Sequence, residues 1–70
     1  MLEKQEIEEL NTKFLNKRIL VIDSTGKTIG GKCTFIGFNS FFPSWGLQVT
    51  VDRMPISNVD PKNIKLNSYE

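Results

Sequence analysis

Seventy residues leave room for one hydrophobic core and little else, so the expectation is a single domain over residues 1–70. The composition, 39% apolar and 24% charged, is that of a globular chain; one cysteine and no histidine exclude an intrachain disulfide and a structural zinc site. The formal net charge of +1 hides a polarity, because the first ten residues set four glutamates against Lys4 while the other sixty set eight cations against four carboxylates.

In chain order, Met1 and Leu2 are followed at once by Glu3, Lys4, Gln5 and Glu6, where a signal peptide would be apolar, and no later run is long enough for a bilayer. The expectation is a cytoplasmic protein with no membrane partner. Ile7, Leu10, Phe14 and Leu15 fall on one helical face, and the glutamates gather early, where the helix dipole favours acids, so the spacing predicts a helix over 2–16. A helix this short needs tertiary support, and docking its stripe on the rest of the chain supplies it.

Arg18 opens a strand pattern. Ile19, Leu20, Val21 and Ile22 end at the turn-forming run Asp23-Ser24-Thr25-Gly26-Lys27. A second strand runs from Thr28 or Gly31 to Asn39, with Cys33, Phe35 and Gly37 on one face and Thr34, Ile36 and Phe38 on the other, and with Gly30, Gly31 and Gly37 as the residues that permit a bend. Cys33 at an alternating position reads as a buried apolar residue. Asn39 to Gly46 reads as a loop, since Pro43 and Gly46 interrupt it despite three aromatics. Leu47, Val49 and Val51 alternate with Gln48, Thr50 and Asp52 in the clearest strand; Met54-Pro55 suggests a tight turn into a short strand over Ile56 to Val59. Asp60 to Asn63 suggests one helical turn, Ile64 to Leu66 a last strand, and Asn67 to Glu70 a frayed tail.

Five short strands in about 50 residues are best packed by rolling a twisted sheet on itself, so the expected fold is mainly β: an N-terminal helix and a five-stranded small β-barrel over 18–67. In this arrangement the sequence resembles the small barrels of the Src-homology-3 (SH3-like), Tudor and Sm-like type. The helix leading into Ile19 to Ile22, the turn with Gly26, Gly31 five residues later, a bent second strand and the segment Ile56-Ser57-Asn58-Val59-Asp60-Pro61 are similar, in that order, to bacterial Sm-like RNA chaperones. The chain departs from them at Gly37, where an acidic residue is usual, and at Val51-Asp52-Arg53 in place of a Tyr-Lys-His stretch. Only the basic character of Arg53 carries over, and Pro61 to Leu66 looks more like the closing turn and strand of Src-homology-3 barrels.

No motif for chemistry emerges. Gly26-Lys27-Thr28 lacks the earlier glycine of a phosphate loop, since position 21 is Val21, and no helix follows. Without histidine, the acid–base candidates Asp23, Asp52 and Asp60 are better explained as turn or wet-face residues. The expectation is no catalysis and no cofactor.

The aromatic loop is the feature that remains. Phe41, Phe42 and Trp45 either mark a contact site or cover an open barrel end as a minor core. Three readings stay open. One is a protein-binding module anchored on Phe41, Phe42 and Trp45 with Arg53, Lys32 and Lys27 beside them. Another is an Sm-like homo-oligomer that binds RNA, and the third is a small-molecule sponge or structural subunit, a phage-encoded one included.

Overall fold

The structure is a computed structural model that describes residues 3–67. The early glutamates and the apolar stripe produce α1, Lys4–Phe14, whose start is tied by Glu3 N–H donating to Glu6 Oε1 at 3.2 Å. It is shorter than the expected span over 2–16. Residue 2 lies outside the described residues, and at the other end Asn16 turns into the left-handed region (φ 65°) and donates its N–H to the Cys33 carbonyl at 2.8 Å instead of prolonging the helix. Ile7, Leu10, Phe14 and Leu15 pack on the core as the stripe requires. Asn11 adds a polar clamp, its Nδ2 donating to Ile7 O at 2.8 Å and to Ile36 O at 3.1 Å on the sheet.

Five strands follow: β1 Arg18–Ile22, β2 Thr28–Phe38, β3 Leu47–Val51, β4 Met54–Ile56 and β5 Ile64–Leu66. They form one antiparallel sheet in the order β4-β3-β2-β1-β5. The strand content and order match the expectation of a helix followed by a five-stranded β domain. The edge strands β4 and β5 do not pair with each other among the described residues, so the sheet is not a hydrogen-bonded closed cylinder. The core is aliphatic, with Ile19, Val21, Cys33, Val49 and Val51 almost wholly buried and Ile36, Leu47, Ile56, Val59 and Ile64 around them. Cys33 is a core residue, as its position in the strand pattern suggested.

β2 serves two partners: residues 28–32 pair with β1 and residues 33–38 with β3. Its register shifts between Cys33 and Phe35, which places both Cys33 and Ile36 inside and leaves Thr34 and Phe35 outside. The simple alternation expected from sequence is therefore corrected: Cys33 and Phe35 do not share a face. Nor do glycines supply the irregularity; it sits at Thr34, because an extra residue is what lets an inward side chain follow three positions after another. Gly31 has a different role. The Asp52 carboxylate occupies the space where a Gly31 side chain would begin, with Val51 Cγ1 only 2.7 Å from that point, and Asp52 Oδ1 accepts the Lys32 N–H at 3.0 Å.

The turn after β3 also differs from expectation. Asp52 and Arg53 form a two-residue hairpin loop, both with positive φ (47° and 73°), and the following strand is Met54–Ile56 rather than Ile56 to Val59. Left-handed residues at both positions match the twist of a tight hairpin, so the chain reverses before Met54-Pro55. Val59 N–H donates to Leu47 O at 3.0 Å, which shows that Leu47, and by alternation Val49 and Val51, direct their peptide groups away from β2. Met54 and Ile56 thus bond to β3, and Pro55 faces the open edge, where its missing N–H costs nothing.

The Asp60 signal is as expected: its Oδ1 accepts Lys62 N–H at 2.9 Å and starts the 3-10 turn Pro61–Asn63 before β5. Asn67, expected to fray, donates its N–H to Arg18 O at 2.9 Å, and residues 68–70 of the expected tail lie outside the described residues.

Gly31→Ala forces a methyl group against Asp52 and Val51. The expected loss is at least ~2 kcal/mol, in the range of overpacked sites. Adding Asp52→Ala should return part of that loss, because the two positions are in contact. Urea unfolding of the two single variants and the double variant measures both.

Candidate functional site

The Asn39–Gly46 connection is held by its own hydrogen bonds. Asn39 Oδ1 accepts Phe41 N–H at 2.8 Å and Phe42 N–H at 3.3 Å, the side-chain turn that Asn favours. Pro43 starts a 3-10 turn over Pro43–Trp45, and Gly46 closes it with φ 69° and its N–H on Pro43 O. Gly46 cannot carry a side chain: Asn58 Oδ1 lies 2.7 Å from where one would begin, and Asn58 N–H donates to Trp45 O at 2.8 Å. The loop is therefore clamped to the segment that follows β4.

On this frame the aromatics are displayed, not buried. Phe41 is 86% exposed, and Phe42 and Trp45 are about half exposed while stacking on each other with ring centroids 4.3 Å apart and planes 11° from parallel. Such a pair contributes about 0.5–1.5 kcal/mol beyond its area. Of the two sequence alternatives, a minor core does not describe Phe41. The Phe42–Trp45 pair is a self-packed surface cluster.

Beside the loop lies an open groove of about 540 Å³ with apolar walls from Phe38, Pro43, Leu47, Val59 and Pro61, and with Asn58 and Asp60 as polar members. Sequence reasoning missed it. Phe38 belonged to a strand, Val59 and Pro61 to what looked like a separate segment, and only the clamp between Gly46 and Asn58 brings them together. Phe38 itself is 42% exposed at the end of β2.

The basic residues expected near this loop are elsewhere. Arg53 sits in the β3–β4 turn, at the other end of β3 from the loop, and a five-residue strand is about 13 Å long. Lys32 pairs with Arg18 on the far side of the β2 irregularity, and Lys27 precedes the first residue of the eleven-residue β2. The register separates Lys27, Lys32 and Arg53 from Phe41, Phe42 and Trp45, because the loop joins one end of the β2–β3 ladder and the cations follow the other.

Two groups have perturbed protonation. Thr25 Oγ1 donates to Asp23 Oδ1 at 2.6 Å, and the N–H groups of Lys27 and Thr25 donate to the same oxygen at 2.9 Å, which together hold the Asp23 carboxyl below its ordinary value. Burial pushes the Cys33 thiol up, so it stays protonated and unreactive at neutral pH. Among the described residues no cluster of three or more His, Cys, Asp or Glu is placed to hold a metal ion, and no helix is long and apolar enough to cross a membrane.

No protein-family model, no curated protein and no solved structure matches this chain significantly.

Arg53→Gly should stabilise the fold by a few tenths to about 1 kcal/mol, because it relieves a left-handed arginine worth ~1–2 kcal/mol and returns part of that in unfolded-chain entropy. The denaturant midpoint reports it. For Asp23, a depressed folded pKa means stability that is fully present above the unfolded carboxylate pKa and is lost as pH falls through the folded value. In Asp23→Ala that acid-side loss should shrink relative to wild type, as read by unfolding midpoints at a series of pH values below neutral.

Proposed function

We propose that this chain is a non-enzymatic, cytoplasmic binding module: a small barrel of the Src-homology-3 or Sm-like kind, left open between β4 and β5, that captures a protein partner with its aromatic loop. The barrel reading is supported by the strand order β4-β3-β2-β1-β5, by the sharing of β2 between two ladders and by the 3-10 turn before the last strand. One observation carries the function: Phe41 stands 86% exposed beside a stacked Phe42–Trp45 pair on a loop that Asn39 and Asn58 hold in place. A rigid aromatic display loses little conformational entropy on association, and large aromatics dominate the energy of protein interfaces. The neighbouring groove gives an extended apolar segment somewhere to lie.

The distance of Lys27, Lys32 and Arg53 from these rings favours an apolar partner over a polyanion at this site. Oligomerisation by edge pairing has less support, since Pro55 faces outward on β4 and offers no N–H to an incoming strand.

Trp45, the chain's one tryptophan, is its own reporter. Affinity capture with wild type should retain a partner that is lost with Phe41→Ser and with Trp45→Ala, while circular dichroism stays unchanged. The purified partner should shift Trp45 emission to the blue as the indole leaves water. Capture that is indifferent to both substitutions, or an emission spectrum that does not move at saturation, rejects the proposal.

A further inference from the structure

Charge is distributed along this chain in a way that marks one surface. The 19 residues from Cys33 to Val51 carry no charged side chain, while the other 51 hold all nine cations and all eight carboxylates. The inward residues of that stretch, such as Cys33, Ile36 and Val49, belong to the core, where charge is excluded in any case. Its outward residues are under no such constraint. They nevertheless include five of the seven large apolar side chains exposed among the described residues: Phe35, Phe38, Phe41, Phe42 and Trp45.

Four of these five gather at one end of the β2–β3 ladder, Phe38 as the last residue of β2 and the others in the connection to β3. Taking ~200 Å² for a whole aromatic side chain, their exposed fractions amount to about 400 Å². That is half of the roughly 800 Å² that each partner gives to a stable interface, before the walls of the groove are counted.

The same surface holds a projection and a recess. Phe41 stands out from the loop, and the groove beside it is walled by Phe38, Pro43, Leu47 and Val59. Asp60, the one charged residue lining that groove, has its Oδ1 on the Lys62 N–H at 2.9 Å. A partner steered by complementary charge finds almost nothing to match here. A two-fold pair sets a patch against its own copy, so a charge of either sign close to the axis would meet its like, and a patch without charge meets no such penalty. Few charges with abundant Phe and Trp are also what the buried centre of an interface selects.

We propose that the partner is a second copy of this chain, paired about a two-fold axis with the Phe41 of each copy in the groove of the other. The proposal rests on the protein-partner reading of the aromatic loop and names that partner. One contact is thereby made twice, which closes the pair and leaves no free copy of the site. The hydrogen bonds from Asn39 and Asn58 hold the loop before association, so pairing orders little that was loose.

The test is sedimentation equilibrium of the full chain from about 10 µM to about 1 mM, the range in which an interface of modest area dissociates. The mass of wild type should rise toward twice the 8.0 kDa of one chain, and its Trp45 emission should move to the red on dilution. Phe41→Ser and Trp45→Ala should each weaken pairing at least about tenfold, as truncation of an aromatic anchor does, with circular dichroism unchanged. Met54→Ser removes a side chain that is 55% exposed at the other end of β3 and should leave pairing as it was.

A wild-type mass that stays at one chain up to about 1 mM overturns the proposal. If Phe41-dependent capture of a different protein persists in that case, the protein-partner reading stands without it; if capture is lost as well, both fall. A dimer indifferent to Phe41→Ser and Trp45→Ala places the interface elsewhere and overturns the proposal. A single chain whose Trp45 emission moves to the blue on phosphatidylcholine vesicles gives the patch to a lipid surface and overturns it too.

Discussion

β2 must be hydrogen-bonded to β1 over its first five residues and to β3 over its last six, in a domain whose Cα radius of gyration is only 11.1 Å. A straight strand that long would leave its two ladders side by side in one flat layer with no inside. The register shift at Thr34 solves this by turning the strand and resetting which side faces inward, so that Cys33 and Ile36 belong to one core. The Asn11 amide grips the Ile36 carbonyl just beyond the irregularity, and Asn16 grips the Cys33 carbonyl just before it. The helix is thus fastened to both sides of the bend.

The same bend organises the surface. It divides β2 into a stretch that bears Lys32 and a stretch that leads to Phe38 and the aromatic loop, so cations and rings are sorted to different regions of a small molecule. Phe35 is where the two regions adjoin. The loop is kept in place from outside the sheet, by Asn58 in its own left-handed conformation (φ 55°), while Lys32 is placed by its register against β1. One surface depends on a tertiary clamp and the other on strand pairing.

Much of this was legible in the sequence, and the exceptions have a common cause. Signals set by a few adjacent residues read correctly: the stripe Ile7, Leu10, Phe14, Leu15, the Asp23 turn, the alternation Leu47 to Val51 and the Asp60 cap. What failed were features decided across strands. The face of Phe35 depends on a pairing shift against Val51 and Thr50 that no local pattern encodes. The Asp52-Arg53 reversal uses two side-chain-bearing residues where glycine or asparagine is the usual marker, so Met54-Pro55 drew the turn two residues late. The groove joins Phe38 to Val59 and Pro61 through a contact between Gly46 and Asn58. The placing of Lys27, Lys32 and Arg53 near the rings failed for the same reason, since proximity of that kind is a matter of register.

An open sheet has two ends, and here they are unlike. On β4 the one outward position is Pro55, which cannot donate; on β5 the outward positions are Ile64 and Leu66, and the Ile64 N–H is already given to Pro61 O. Growth of a filament by strand pairing needs two complementary ends on every molecule, so that each addition exposes a fresh site. A molecule with one usable end can form at most a closed pair. Among the described residues no further strand covers either edge, and a proline at an edge position, where it costs the fold no hydrogen bond, keeps β4 from donating to an incoming chain.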